Sequence, residues 1–156
     1  MQDPEEATHH LDPDRRVAMT LYLEALSLSG RDWQLEACGN FKPHEIHSIY
    51  YMTPHNPSCV VEIGSTFALK QQALDVLSYQ LAFSGQVIKQ RIGDVALRHV
   101  ISNYDAIQND DEALGRALFH ATDLALALYH GAAGHAHAGL AEAFRHEGPL
   151  KMERLR

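Results

Sequence analysis

Two adjacent histidines, His9 and His10, stand just ahead of two aspartates, Asp12 and Asp14, in the stretch HHLDPDRRVA (9–18). Imidazole nitrogens and carboxylate oxygens are zinc donors, and a catalytic zinc takes about three protein ligands and keeps one position open. An arginine pair, Arg15 and Arg16, follows at once. A guanidinium stays protonated in a protein and has no lone pair to give a metal. Donors this close in sequence also need a second element to close a ligand set. The competing reading is a solvated helix entry, with carboxylates favoured at the positive end of the helix dipole.

Other donors are scattered. HEIH (44–47) falls one residue short of H-E-x-x-H, and residues three apart point to opposite faces of a strand. His135 and His137 in GHAHAG share one face if extended, but a glycine-rich loop more often leaves them in solvent. Glu62 ends an apolar run, where α/β sheets place ligands, or it hydrogen-bonds a helix start. Glu142, inside AEAF, reads by default as an ion-pair partner or an exposed strand residue. No G-x-S-x-G elbow, G-x-x-x-x-G-K-[ST] phosphate loop or strand-borne G-x-G-x-x-G occurs.

The elements that must position these groups follow from the apolar pattern. Residues 1–11 read as a flexible N-terminus. A helix is expected from Asp12, with Asp12 or Asp14 as cap, Pro13 in the first turn, Ala18, Leu21, Ala25 and Leu28 at helical spacing, and Gly30 as its stop. EIHSIYYM (45–52) reads as a strand and SCVVEI (58–63) as a buried one. A helix capped by Ser65 is expected to run to about residue 82, with Leu69, Ala73, Val76 and Leu77 inward. Another spans 94–107 through Leu97, Val100, Ile101, Tyr104 and Ile107. The clearest starts at NDD (109–111) and carries Leu114, Ala117, Leu118, Ala121, Leu124, Ala125 and Leu128. GAAGHAHAG (131–139) reads as a loop, 140–147 as a strand or a helical turn, with the strand preferred, and Gly148-Pro149 as a turn. This alternation is an α/β pattern.

Composition narrows the classes. The 156 residues are 46% hydrophobic, enough for a sizeable core, and 13 Lys plus Arg against 20 Asp plus Glu give a net charge of −7. That balance lacks the basic stripe of a nucleic-acid binder. No apolar run is long enough to span a bilayer. The acidic start MQDPEEATHH is unlike a signal peptide. Cys38 and Cys59 form no C-x-x-C, and a reduced pair in the cytoplasm fits best.

Three stretches in order carry a resemblance: DPDRRVA (12–18), PSCVVEIGSTFALKQQALDVLSYQ (57–80), and LAEAFR (140–145) followed by GPL. They resemble the LmbE-like (PIG-L-like) de-N-acetylases. That family carries H-P-D-H-R before a helix, a strand ending V-D-I, a helix with K-x-x-A-L closing on S-Q, and a late A-E-A-F. Lys70, Ala73, Leu74, Gln80, Ala141, Glu142, Ala143 and Phe144 fall on family positions. The resemblance implies a partial Rossmann-like α/β sheet with flanking helices, matching the C-terminal two-thirds of the family domain, over residues 12–156. It also implies zinc-dependent hydrolysis of N-acetyl groups on amino-sugar-type substrates, in which the metal polarises the carbonyl and acidifies its water.

The family's zinc donors are a histidine and an aspartate of H-P-D-D and the last histidine of H-P-D-H. Here H-P-D-D is absent; in the nearest match, HLDPD (10–14), Pro13 falls on the ligand aspartate. H-P-D-H-R becomes Asp12-Pro13-Asp14-Arg15-Arg16, so Arg15 stands at the zinc histidine and Asp12 at the catalytic one. Glu62 replaces the V-D-I aspartate, and Leu77 and Tyr79 replace the histidine and serine near S-Q. By resemblance Asp12 and Asp14 hold the catalytic positions, and His10 is the one candidate metal ligand.

The expectation is a truncated or catalytically degenerate deacetylase relative, inactive alone, in which the family's zinc need not be bound. It is expected to self-associate or to pair with an N-terminal partner chain. Two rival classes are a non-enzymatic interaction module, with the Ala/Leu helix at 111–129 as its surface, and a small histidine-based metal-binding protein.

Overall fold

In the computed structural model, residues 3–4, 13–134 and 139–149 are described. The chain divides into two compact units, Met1–Val60 with Ala143–Arg156, and Val61–Glu142.

The first unit opens with α1, Pro13–Leu28. Proline in the first turn costs no hydrogen bond, and Asp14 lies at the favoured end of the dipole. At the far end Ser27 and Ser29 turn their hydroxyls back onto the carbonyls of Glu24 and Leu26. The buried residue is Met19, with Leu23 and Leu26 half-buried below it. Leu21, on the expected stripe, is 60% exposed. VAMTLYLEALSL carries apolar residues almost all round, so spacing alone does not fix which face turns inward.

The first expected strand shortens to β1, Ile49–Met52. It pairs antiparallel with β3, Ala141–Glu147, in the register Tyr50↔His146 and Tyr51↔Arg145. Tyr51 is buried beneath Arg145, whose guanidinium carbon lies 4.3 Å from the ring centroid. The guanidinium is gripped from beyond by Asp3, with Nε donating to Oδ2 at 2.6 Å and Nη2 to Oδ1 at 2.9 Å. Asp3 is fully buried and its N–H bonds the Met52 carbonyl. One residue of the stretch expected to be flexible is therefore fixed by a two-pronged ion pair, the form in which a buried carboxylate is tolerated.

β2, Cys59–Glu62, completes a three-stranded sheet of order β1-β3-β2. Ser58 N–H donates to Phe144 O and Ile63 N–H to Leu140 O, so the two strands run in opposite directions. The sheet is thus antiparallel, whereas a doubly wound fold is built mainly on parallel strands. Fold class is mixed helix and strand, as the alternation implied. β2 departs from its expected burial: it is an edge strand, and Val60 and Val61 are both exposed.

The second unit is helical. α2, Phe67–Asp75, and α3, Ser78–Ile92, replace the single helix expected to residue 82. Leu77 leaves helical geometry at ψ 50°, with no glycine or proline to signal it. The reason is tertiary: Asp75, the last residue of α2, is held by His120 and Arg116, and the turn lets α3 lie on a different length of the same partner. Val76 and Leu69 consequently point outward, and Phe67 is the buried residue of α2. α4, Asp94–Val100, and α5, Tyr104–Ile107, divide the next expected helix at Ile101, which adopts extended geometry and buries its side chain. α6, Asp111–His130, starts where the sequence indicated, its Asp110 carboxylate capping the Ala113 N–H at 3.0 Å. Leu97, Ile101, Tyr104, Leu114 and Leu118 form the core. Further along α6, Leu124 and Leu128 are exposed, and Ala127 instead packs with Ile63 and Phe67.

α3 and α6 meet backbone to backbone. A Cβ on Gly115 would strike the Leu81 carbonyl, and one on Gly85 the Asp111 carbonyl, both far inside van der Waals contact. Helix propensity alone would make Gly115→Ala stabilising by about 1 kcal/mol. The close approach reverses the sign: urea unfolding should show Gly115→Ala destabilised by about 1–3 kcal/mol.

Candidate functional site

Lys70 and Glu142 are far apart in sequence. They meet in the second unit. Lys70 projects from α2, and its Nζ donates to Glu142 Oε1 at the start of β3 and to Asp123 Oδ1 on α6, the latter at 2.5 Å. One ammonium thus joins three elements. Beside it lies the apolar cluster of Ile63, Phe67 and Ala127, with Leu140 against it.

The cluster extends along one face of α6. Glu112 pairs with Arg116 at i, i+4, and Arg116 reaches Asp75 at 3.4 Å. His120 Nε2 lies 2.8 Å from the same Asp75 oxygen. Asp123 then takes Lys70. The spacing 112, 116, 120, 123 keeps these four side chains on one helical stripe, turned toward α2.

Burial alone would lower the Lys70 pKa, but hydrogen bonds to Asp123 and Glu142 and the charge of both outweigh it and leave it raised. The amine is therefore held as ammonium, unfit as a nucleophile or general base, and acts as a fixed cation. Asp123 is only 13% exposed. Its second oxygen, Oδ2, is buried without a hydrogen-bond partner among the described residues. A buried carboxylate oxygen in that state raises the cost of losing the lysine that neutralises its neighbour.

The residues singled out for chemistry from sequence fall elsewhere. Asp14 and Arg15 lie in the exposed first turn of α1. His10, Asp12, His135 and His137 lie outside the described residues. Glu62 accepts the Gly64 N–H at 2.6 Å, a bond within the turn that precedes α2 and not at the helix start itself. Of the HEIH histidines, only His47 lines the cavity beside α1. Cys38 and Cys59 are unbridged. Among the described residues no group of three or more His, Cys, Asp or Glu gathers as a metal-binding set.

Asp123, Asp75 and His120 were not anticipated. The available signal was a set of charged residues at helical spacing inside an otherwise Ala/Leu helix.

No family model, no curated protein and no solved structure matches this chain.

Two outcomes follow from the lysine. Lys70→Met leaves Asp123 without its cation and should cost about 1–2 kcal/mol in urea unfolding, the loss for a buried pair scaled down for partial exposure. The raised Lys70 pKa means the native state holds its proton more tightly than the unfolded chain. Tyr104 has a raised pKa too, through its hydrogen bond to Asp94 and through burial. Both contributions are complete below the unfolded values and vanish as pH climbs through the native ones, so stability should decline above about pH 10. Lys70→Met should make that decline shallower in pH-dependent thermal melts.

Proposed function

We propose that this chain is a relative of the LmbE-like de-N-acetylases that keeps part of their framework and not their zinc chemistry. The carrying observation is the Lys70–Glu142 ion pair, which ties the second resembling stretch to the third across 72 positions. In this reading the three antiparallel strands correspond to an antiparallel edge, which larger Rossmann-like sheets often carry. The family's H-P-D-D donors are not among these 156 residues. Zinc-dependent hydrolysis of an N-acetyl group would need them from other polypeptide, and Arg15 opposes the metal even then.

The same chain then serves as a binding partner, with a second copy or a chain bearing the missing donors. Leu124, Leu126, Leu128 and Tyr129, exposed on the last turns of α6, favour this second role. Unbridged cysteines fit a cytoplasmic setting, and the acidic balance argues against a nucleic-acid partner. Among the described residues no helix is long and apolar enough to cross a membrane.

The test is the zinc content of tag-free protein after dialysis against a weak chelator, paired with deacetylation of an N-acetyl amino sugar. Zinc well below stoichiometric, with no hydrolysis, is expected. One zinc retained per chain together with acetate release would overturn the proposal.

A further inference from the structure

The first unit carries a solvent-open cleft of about 340 Å³ between the end of α1, the 45–49 segment and the β1–β3 pair. That volume falls at the lower end of the range for small-molecule sites. Its body is apolar, built by Leu23 and Leu26 from α1 and by Ile46 and Ile49 opposite. The 44–47 wall is anchored to the helix end by the His44 N–H, which donates to the Ser29 carbonyl at 2.7 Å. Gly30 lies against Glu45, where a Cβ would stand in ordinary contact with Glu45 Cγ at 3.4 Å.

The polar groups on the wall are nearly all acceptors. Ser27 and Ser29 spend their hydroxyl protons on Glu24 and Leu26 carbonyls, leaving oxygen lone pairs free. The Tyr51 hydroxyl donates to Glu147 Oε2 at 3.2 Å, so its oxygen too can only accept. Glu147 is itself neutralised by Arg145, which also sits over Tyr51. Glu45 has no cation opposite it among the described residues. His47 is the one side chain there able to donate.

With an apolar body, spent donors and a carboxylate that no described residue neutralises, the cleft suits a ligand rich in N–H. We propose that it binds a small amphipathic primary amine, its aliphatic or aromatic body against Leu23, Leu26 and Ile49 and its ammonium on Glu45. An ammonium has three donors and no acceptor, the complement of this wall. Neither a carboxylate nor a neutral alcohol meets that requirement. The inference does not depend on the de-N-acetylase reading, none of whose candidate site residues lines this cleft.

The experiment uses the whole chain and three probes sharing one apolar body: 4-phenylbutylamine, 4-phenylbutanol and 4-phenylbutyrate. Binding is followed by backbone-amide chemical-shift titration. The amine should bind at least about tenfold more tightly than the alcohol, the worth of one charge-assisted hydrogen bond, and the carboxylate most weakly. Shifts should centre on Leu23, Leu26 and His47. Glu45→Gln, at an exposed position, should remove most of the amine's advantage and leave alcohol binding unchanged, with circular dichroism confirming the fold. Leu26→Trp, which fills the cavity, should weaken all three. Equal affinity for amine and alcohol, no effect of Glu45→Gln, or no saturable amine binding at millimolar concentration would each overturn the proposal.

Discussion

A carboxylate removed from water must find a cation, and in the helical unit that demand is met by one residue. Lys70 answers Asp123 and Glu142 together, so the ammonium that makes each acid tolerable also fixes where α2, α6 and the start of β3 stand. The apolar cluster of Ile63, Phe67 and Ala127 supplies area but little direction, because hydrophobic contact is not directional. The ion pairs add direction. Asp75 with His120 and Arg116 extends the same logic, holding the end of α2 where the chain must break before α3. The glycine contact of α3 with α6 is the second constraint, one of shape instead of charge.

The first unit solves the same problem with an arginine. Arg145 lies between Asp3, Glu147 and the face of Tyr51. Its planar fork meets the Asp3 carboxylate with two nitrogens at once, a geometry lysine cannot reproduce. The kind of cation thus matches the geometry around it. A point charge stands where acids converge from different elements, and a fork where one buried carboxylate must be held in a fixed orientation. Burial first, then Glu147, raises the Tyr51 pKa and keeps its hydroxyl a donor to that carboxylate.

Local signals in the sequence mark some elements and not others. α6 announced itself through Asp110, an acidic first turn and a long Ala/Leu face, whereas 140–147 read as a strand or a helical turn and the structure makes it β3. The breaks at Leu77 and Ile101 were not legible, since neither carries glycine or proline and both are imposed by packing against α6. Nor was the phase of α1, whose apolar residues surround the helix. Little of the site was legible: Glu142 read by default as an ion-pair partner or an exposed strand residue, but nothing local said that Lys70 is its partner or that Asp123 joins them. Chemistry sought at HHLDPDRRVA turned out, for Asp14 and Arg15, to be an exposed helix entry.

Lys70 and Glu142 can organise the helical unit only as a coupled pair, not as independent surface charges. A double-mutant cycle tests this most directly, by urea unfolding of the parent, Lys70→Met, Glu142→Gln and the double variant. Coupling of about 1 kcal/mol or more is expected for a partly buried pair with a shared partner. Additive losses, with coupling indistinguishable from zero, would contradict it.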